Sequence, residues 1–434
     1  MAREPLHVAI VGSGPAGYYT AEALAAKDEA VAVDILDRLP TPYGLIRGGV
    51  APDHQSIKQV AKRYEKTSLK PNVRFLGHVE VGRDVLIEEL LELYDVVVLA
   101  TGAPEDRKLG IEGEDLPGVW GSAAFVGWYN SHPDFSHFEP DLETPSVAVI
   151  GNGNVAIDVA RVLAKTEAEM AHADLAPYAA EAIERAPIRD IYILGRRGPM
   201  EAKFTPKELG EMGELERCVP LVDPARLPPE GAEDALEPGK RKVMALLRQF
   251  AGNRAGDKPV RLHFGFYAKP VAVLGEERVE GLRLARTRVE DGRCLDTGET
   301  FELACGLVVP CIGYRSIPIP NVAFDTERGR FRNEDGRIAD RLYAVGWARR
   351  GPTGTIGTNK PDGAVIAARI LAEIRPAGRE GGAGFDALAL QRGLEVVRFE
   401  DWKRIEEAEM AAAQGQHPRL KFSRIDDMLS LIAK

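Results

Sequence analysis

Between His7 and Gly17 an apolar, β-branched run, His7-Val8-Ala9-Ile10-Val11, passes into Gly12-Ser13-Gly14-Pro15-Ala16-Gly17 and then into a helical pattern from Tyr18 to Lys27. Strand, Gly-x-Gly-x-x-Gly turn and helix in that order form the dinucleotide-binding fingerprint, and few folds other than a parallel α/β sheet can use it. Gly12 permits the tight turn, Gly14 lets a pyrophosphate approach the backbone, and Gly17 lets the helix pack close to the strand. The helix N-terminus attracts the phosphates. A second strand, Val31 to Asp37, ends in an acid twenty residues after Gly17. Asp34 lies inside that strand and Asp37 at its end, so Asp37 is the expected acceptor of the ribose hydroxyls.

The design recurs. Ser146-Val147-Ala148-Val149-Ile150 leads into Gly151-Asn152-Gly153-Asn154-Val155-Ala156 and a helical pattern through Arg161. Two such units with correct flanks in one chain predict two nucleotide sites. The next strand of this second unit, Asp190 to Gly195, ends in Arg196-Arg197 where an acid would select the 2′-hydroxyl of NAD. Guanidinium pairs match a 2′-phosphate bidentately, so NADP(H) is the expected ligand. Between the two halves of the unit lies an Ala- and Glu-rich insertion, about 166 to 187, expected to be helical.

With 434 residues, 28% charged and 44% hydrophobic, the chain has the composition of a globular enzyme of several domains. Its net charge of −10 argues against nucleic acid as a general partner. No apolar run is long enough to span a bilayer, and the first strand starts too early to leave room for a signal or transit peptide, so a cytoplasmic location is expected. Cys218, Cys294, Cys305 and Cys311 are widely spaced, without a C-x-x-C pair, which indicates neither a disulfide framework nor a metal site.

Other segments fill in the organisation. The Gly/Pro-rich stretch Arg38 to His54 carries apolar Leu45, Ile46 and Val50 and is expected to line a ligand. Ser56 to Lys66 is predicted helical, Val73 to Gly77 and Val79 to Val81 as short strands, and Val85 to Leu93 as a helix. Tyr94 to Gly102 is a fully apolar strand that marks the way out of the first domain. Lys240-Arg241-Lys242 opens a helix that also carries Arg248, a basic cluster on an acidic chain and a candidate docking point for an acidic partner. Arg261 to Leu303 alternates as antiparallel strands do, and Gly306 to Tyr314 closes the second domain. A strand ending at Gly346 meets a glycine- and threonine-rich turn, Trp347 to Thr358, suited to offer N–H groups to a flavin or its phosphates, before a helix from Asp362 to Ile374. Helices at Trp402 to Gln414 and Asp426 to Ala433 are expected to cover the core.

Five stretches together carry a resemblance: Val11 to Ala21, Tyr43 to His54, Gly151 to Arg161, Gly195 to Pro199 and Gly346 to Gly354. In the same order and across nearly the whole chain, the sequence resembles the adrenodoxin reductase family of ferredoxin–NADP⁺ reductases. The resemblance implies two Rossmann-like domains in a glutathione-reductase-like architecture. An FAD domain at 1–106 and 331–434 would be interrupted by an NADP(H) domain at 107–330. It implies FAD contacts at Ala16, Asp37, Leu45, Val81, Trp347, Gly354, Thr355 and Ile356, and NADP(H) contacts at Asn152 to Val155, Arg196, Arg197, Glu208 and Gly354. His54, Asp158 and Glu208 fall where the family places polar residues associated with proton movement. Asp37 stands where animal members have Glu, one methylene longer. The implied activity is hydride transfer from NADPH to FAD, then single-electron transfer to an acidic [2Fe-2S]-type ferredoxin in a transient electrostatic complex. That ferredoxin would supply cytochrome monooxygenases, and the reductase would act as a monomer with no nucleic-acid or membrane partner. Thiol–disulfide reduction shares the architecture but needs a cysteine couple that is missing. A different acceptor, or a regulator whose flavin is structural, remain as alternatives.

Overall fold

The computed structural model describes residues 4–26, 30–256 and 258–432; Lys27 and Ala433, expected as helix ends, lie outside them. The chain forms two compact units. The first takes the residues through Glu105, then Asn130–Pro133, and everything from Gly313 onward. The second takes Asp106–Tyr129 and Asp134–Ile312. The carboxyl-terminal return thus begins at Gly313 and not at 331, because the segment from Tyr314 packs Ile319, Val322 and Phe331 against the core of the first unit.

The first unit is built on a six-stranded sheet ordered Arg337–Ala339, Leu342–Ala344, Val96–Leu99, Leu6–Val11, Val31–Leu36, Val73–Leu76. All neighbours are parallel except the first pair. The central strands are continuously apolar because both faces are covered. Val8 and Ile10 join a cluster with Tyr18, Tyr64 and Trp402, while Ala9 and Val11 point the other way to Leu90 and Phe385. The expected helix at 56–66 is two, Gln55–Lys58 and Ala61–Ser68. The expected strand 79–81 is only a bridge between Val81 and Val85 around Gly82 at φ +100°.

The second unit carries a five-stranded parallel sheet ordered Leu307–Pro310, Ser146–Ile150, Asp190–Leu194, Val260–Gly265, Cys218–Val222. One face (Val147, Val149, Ile191, Ile193) packs with Ile157 and Leu247 of the helices Asn154–Ala164 and Pro238–Ala251. The other (Ala148, Ile150, Leu194) meets Leu282 and Leu284 of a three-stranded antiparallel meander, Ala268–Leu274, Gly281–Glu290 and Arg293–Ala304. The alternation from 261 therefore belongs to two sheets. Val260–Gly265 alternates because one of its faces lines a cavity of about 380 Å³ with His263 and Phe301, yet it pairs in parallel. No helix among the described residues is long and apolar enough to cross a membrane.

Candidate nucleotide sites

In the first unit the three glycines of the turn have different surroundings. Gly12 sits at φ +110°, and a Cβ there would lie 2.4 Å from the carbonyl oxygen of Ala100. At Gly17 a Cβ would lie 2.0 Å from the Gly12 oxygen. At Gly14 it would meet nothing within 4 Å. The outer two are thus glycine for packing, while the middle one faces open space at the head of the helix Pro15–Ala25, whose N-terminus has no side-chain cap.

Asp37 closes the floor of this cradle. Its Oδ2 accepts hydrogen bonds from the Ser13 N–H (2.9 Å) and the Ser13 hydroxyl, and its Oδ1 accepts one from the Leu39 N–H at 3.0 Å. Asp34 is consumed elsewhere, buried under a bidentate Arg74 (2.7 and 2.6 Å) and the Tyr94 hydroxyl at 2.6 Å. The loop after Asp37 returns to the turn: Tyr43 donates its N–H to the Ser13 oxygen at 3.1 Å, and a Cβ at Gly44 would stand 2.9 Å from the Gly14 Cα. Leu45, 44% exposed, starts the short helix Leu45–Gly48. A small cavity beside it is lined by Asp37, Gly44, Arg47, Asn130 and His132. His54 is buried at the N-terminus of Gln55–Lys58. Val81 is half-buried against the cluster of Leu36 and Leu76.

The carboxyl-terminal strand reaches the same cradle. Gly346, at φ +66°, donates its N–H to Asp362 Oδ2 at 2.7 Å, and Arg349 and Arg350 pair with the two oxygens of that carboxylate. Trp347 opens the short helix Trp347–Arg350, gives its indole N–H to the Thr353 oxygen at 3.0 Å and stacks on Tyr314. Gly354 takes φ +84°, and Thr355 and Thr358 cap the turn that contains Ile356.

Residues that sequence reasoning missed hold the loop. Glu409, fully buried, takes the Arg47 guanidinium on both oxygens, and Lys421 donates to the Asn130 side-chain oxygen at 3.0 Å. No local pattern announces either residue. A buried acid in a tail helix shows only in three dimensions.

The second unit repeats the glycine logic. Gly151, at φ +145°, would put a Cβ 2.4 Å from the Cys311 oxygen, whereas Gly153 has open space. Asn152 keeps a buried side-chain oxygen with no hydrogen-bond partner among the described residues. Asn154 accepts from the Thr205 N–H at 2.9 Å, and Val155 packs on the core. Arg196 and Arg197 are exposed, and their guanidinium groups make no hydrogen bond or ion pair among the described residues. Glu208, on the helix Pro206–Glu211, faces Arg161, a fully buried guanidinium that also meets Asp158 at 2.8 Å and Glu211 at 3.6 Å. Three carboxylates surround one buried cation and satisfy it.

Residues 6–193 match the family model described as pyridine nucleotide-disulphide oxidoreductase. The chain is 40% identical over 452 aligned residues to the NADPH-ferredoxin reductase FprA of Mycobacterium tuberculosis, covering 98% of this chain and 99% of that protein. It is 39% identical to the mitochondrial NADPH:adrenodoxin oxidoreductase of Homo sapiens, covering 98% of this chain and 91% of the relative. The chain belongs to the NADPH-ferredoxin/adrenodoxin reductase family. A solved structure of M. tuberculosis FprA in complex with NADPH matches this reductase with a TM-score of 0.95 at 39% identity over 99% of this chain and all of that one. Burial pushes the thiols of Cys218 and Cys305 up to about 12.

Proposed function

We propose that this reductase carries electrons from NADPH to a ferredoxin, with FAD in the first unit and NADP(H) in the second. The observation that carries the assignment is the repeated cradle, in which the middle glycine, Gly14 or Gly153, faces open space while its neighbour is locked against backbone. Beside the first cradle stands a carboxylate, Asp37; beside the second stand two exposed guanidiniums, Arg196 and Arg197, with no partner among the described residues. The residues present therefore fit a flavin adenine dinucleotide in one unit and a 2′-phosphorylated nicotinamide dinucleotide in the other.

FAD, when bound, supplies the conversion between a two-electron hydride and single electrons. Gly14 and Ala16, in the turn that Gly12 and Gly17 shape, would hold its pyrophosphate and Asp37 its ribose; Leu45, Val81, Trp347 and the Gly354-Thr355-Ile356 turn would bound the rest. Gly151 to Val155 seat the NADPH pyrophosphate, and Arg196 and Arg197 take its 2′-phosphate. We read His54, Asp158 and Glu208 as residues of proton movement, and Glu208 and Gly354 each as an NADP(H) contact. Hydride transfer itself needs no side-chain base, so the chain contributes chiefly by positioning. The balance is one NADPH and two oxidised ferredoxins giving NADP⁺, two reduced ferredoxins and one proton.

The partner we infer is an acidic ferredoxin of the [2Fe-2S] type, met in a transient complex by a monomer in the cytoplasm. Lys240, Arg241 and Lys242 lie exposed near the start of the helix Pro238–Ala251, with no side-chain hydrogen bond among the described residues. Cations at the positive end of a helix dipole cost stability, which favours a role outside the fold. Arg248 leaves this docking set. Its guanidinium is held by Glu233 at 2.8 and 2.9 Å and by the Pro228 and Pro229 carbonyls.

The purified protein should be yellow, and rapid mixing with NADPH should bleach its flavin far faster than mixing with NADH, with a ferredoxin then reduced under turnover. A colourless protein that takes up no FAD overturns the assignment, and equal rates with the two nicotinamides overturn the second site.

A further inference from the structure

The two guanidiniums that would read the 2′-phosphate are exposed and make no hydrogen bond or ion pair among the described residues, where the contacts of the pair run through the backbone. That backbone is fixed by the antiparallel meander and by Tyr267, the residue that leads into it. The carbonyl of Arg196 accepts the Thr287 hydroxyl at 2.6 Å and the Cys294 thiol at 3.0 Å. The carbonyl of Arg197 accepts the Tyr267 N–H at 3.1 Å, and the carbonyl of Tyr267 accepts the Thr287 N–H at 3.1 Å.

Two irregularities make these contacts possible. The pairing of Gly281–Glu290 with Arg293–Ala304 slips between Ala285 and Thr287, which turns the hydroxyl of Thr287, buried to 6% exposure, toward the arginine loop. Tyr267 holds φ +56°, a conformation that a tyrosine adopts only under constraint, and its ring lies where a Cβ at Gly198 would stand, 2.3 Å from the hydroxyl oxygen. Strain and a buried hydroxyl converge on one loop whose two guanidiniums have no partner among the described residues.

We infer that Thr287 and Tyr267 are positioning residues for nicotinamide selectivity. The meander clamps the main chain of Arg196-Arg197 so that both guanidiniums meet the 2′-phosphate without first ordering the loop, and the selectivity for NADPH over NADH depends on that clamp. This rests on the reading of the second unit as the NADP(H) site.

The test compares Thr287→Val, which keeps the shape and removes the donor, with Thr287→Ser, which keeps the donor. With Val, KM for NADPH should rise roughly three- to tenfold while kcat stays within about twofold, because one neutral hydrogen bond is lost from a binding contact. Kinetics with NADH should not move, and Ser should restore the wild-type values. Binding gives a readout apart from turnover: adenosine 2′,5′-bisphosphate should bind the Val variant more weakly by the same factor, and adenosine 5′-monophosphate should bind as in the wild type. Cys294→Ala removes the weaker donor from an exposed strand, should lose the same property to a smaller extent, and serves if the Val variant does not fold. Loss shared equally between the two adenosine ligands, or no loss in either variant, overturns the inference. A wild-type protein without preference for the 2′-phosphate overturns the reading beneath it instead.

Discussion

Gly346 lies against Ala16, so close that a Cβ on the glycine would stand 2.5 Å from that of the alanine. Through this contact the last strand of the first sheet seals the turn formed by the first. Gly346→Ala adds both the clash and the strain of a non-glycine residue at φ +66°. The variant should be destabilised by about 2–4 kcal/mol and lose flavin on gel filtration, seen as a fall in the 450-to-280 nm absorbance ratio. A variant that melts like the wild type with a full flavin complement would break the proposed link between that strand and the cradle.

The middle glycines separate folding from binding. Gly14 and Gly153 have extended backbones that valine adopts easily, and a Cβ at either meets no protein atom within 4 Å. Gly153→Val should therefore melt like the wild type and retain FAD, yet raise KM for NADPH by at least about tenfold, as a methyl group enters the space of the pyrophosphate. Gly14→Val should fold and stay colourless. Gly12→Ala, aimed at the Ala100 carbonyl, should instead lose stability with or without flavin. Unaltered NADPH kinetics in Gly153→Val would remove the second cradle from the mechanism.

Docking divides the basic helix into two parts. Replacing Lys240, Arg241 and Lys242 together by alanine should raise the ferredoxin concentration for half-maximal rate and flatten its dependence on ionic strength, leaving NADPH-to-ferricyanide turnover within about twofold. Arg248→Ala should leave the ferredoxin kinetics alone and loosen the loop at 228–237, measured as faster proteolysis there. If the triple variant reduces ferredoxin like the wild type, the partner binds elsewhere.

The same loop gives a pH dependence. The Arg248 guanidinium holds the Glu233 carboxyl down at about 2, below the usual carboxylate range. A depressed value in the folded state means that the pairing contributes at every pH above that ordinary range and is lost as pH falls through it toward the folded value. Pepsin cleavage within 228–237 should thus accelerate as pH drops from about 5 to about 2, and Glu233→Gln should cleave quickly throughout. Equal acceleration in both proteins would locate the acid-sensitive group elsewhere.

What the sequence disclosed was what local chemistry dictates. Both glycine turns were legible because strand, turn and helix are consecutive, and Arg196-Arg197 because the end of a strand has a fixed place relative to the turn before it. The strand Val260–Gly265 misled, since alternating exposure marks a half-covered strand of either pairing direction. The helices Ser122–Tyr129 and Gly382–Arg392 went unseen: the first is apolar almost throughout, and the second is broken into by glycine and alanine, so neither shows a face. Glu409 could not be found because its partner Arg47 lies 362 positions away.

The tetrapeptide Asn130–Pro133 belongs to the first unit although both of its flanks belong to the second. It walls the small cavity beside Asp37, sets His132 against Gly48 and gives Lys421 its acceptor. The nicotinamide module is consequently not a cassette. Anyone recombining reductases by swapping residues 106–312 as a block would exchange part of the first unit with it, so chimaeras should graft around these four positions, retaining the host's own residues there.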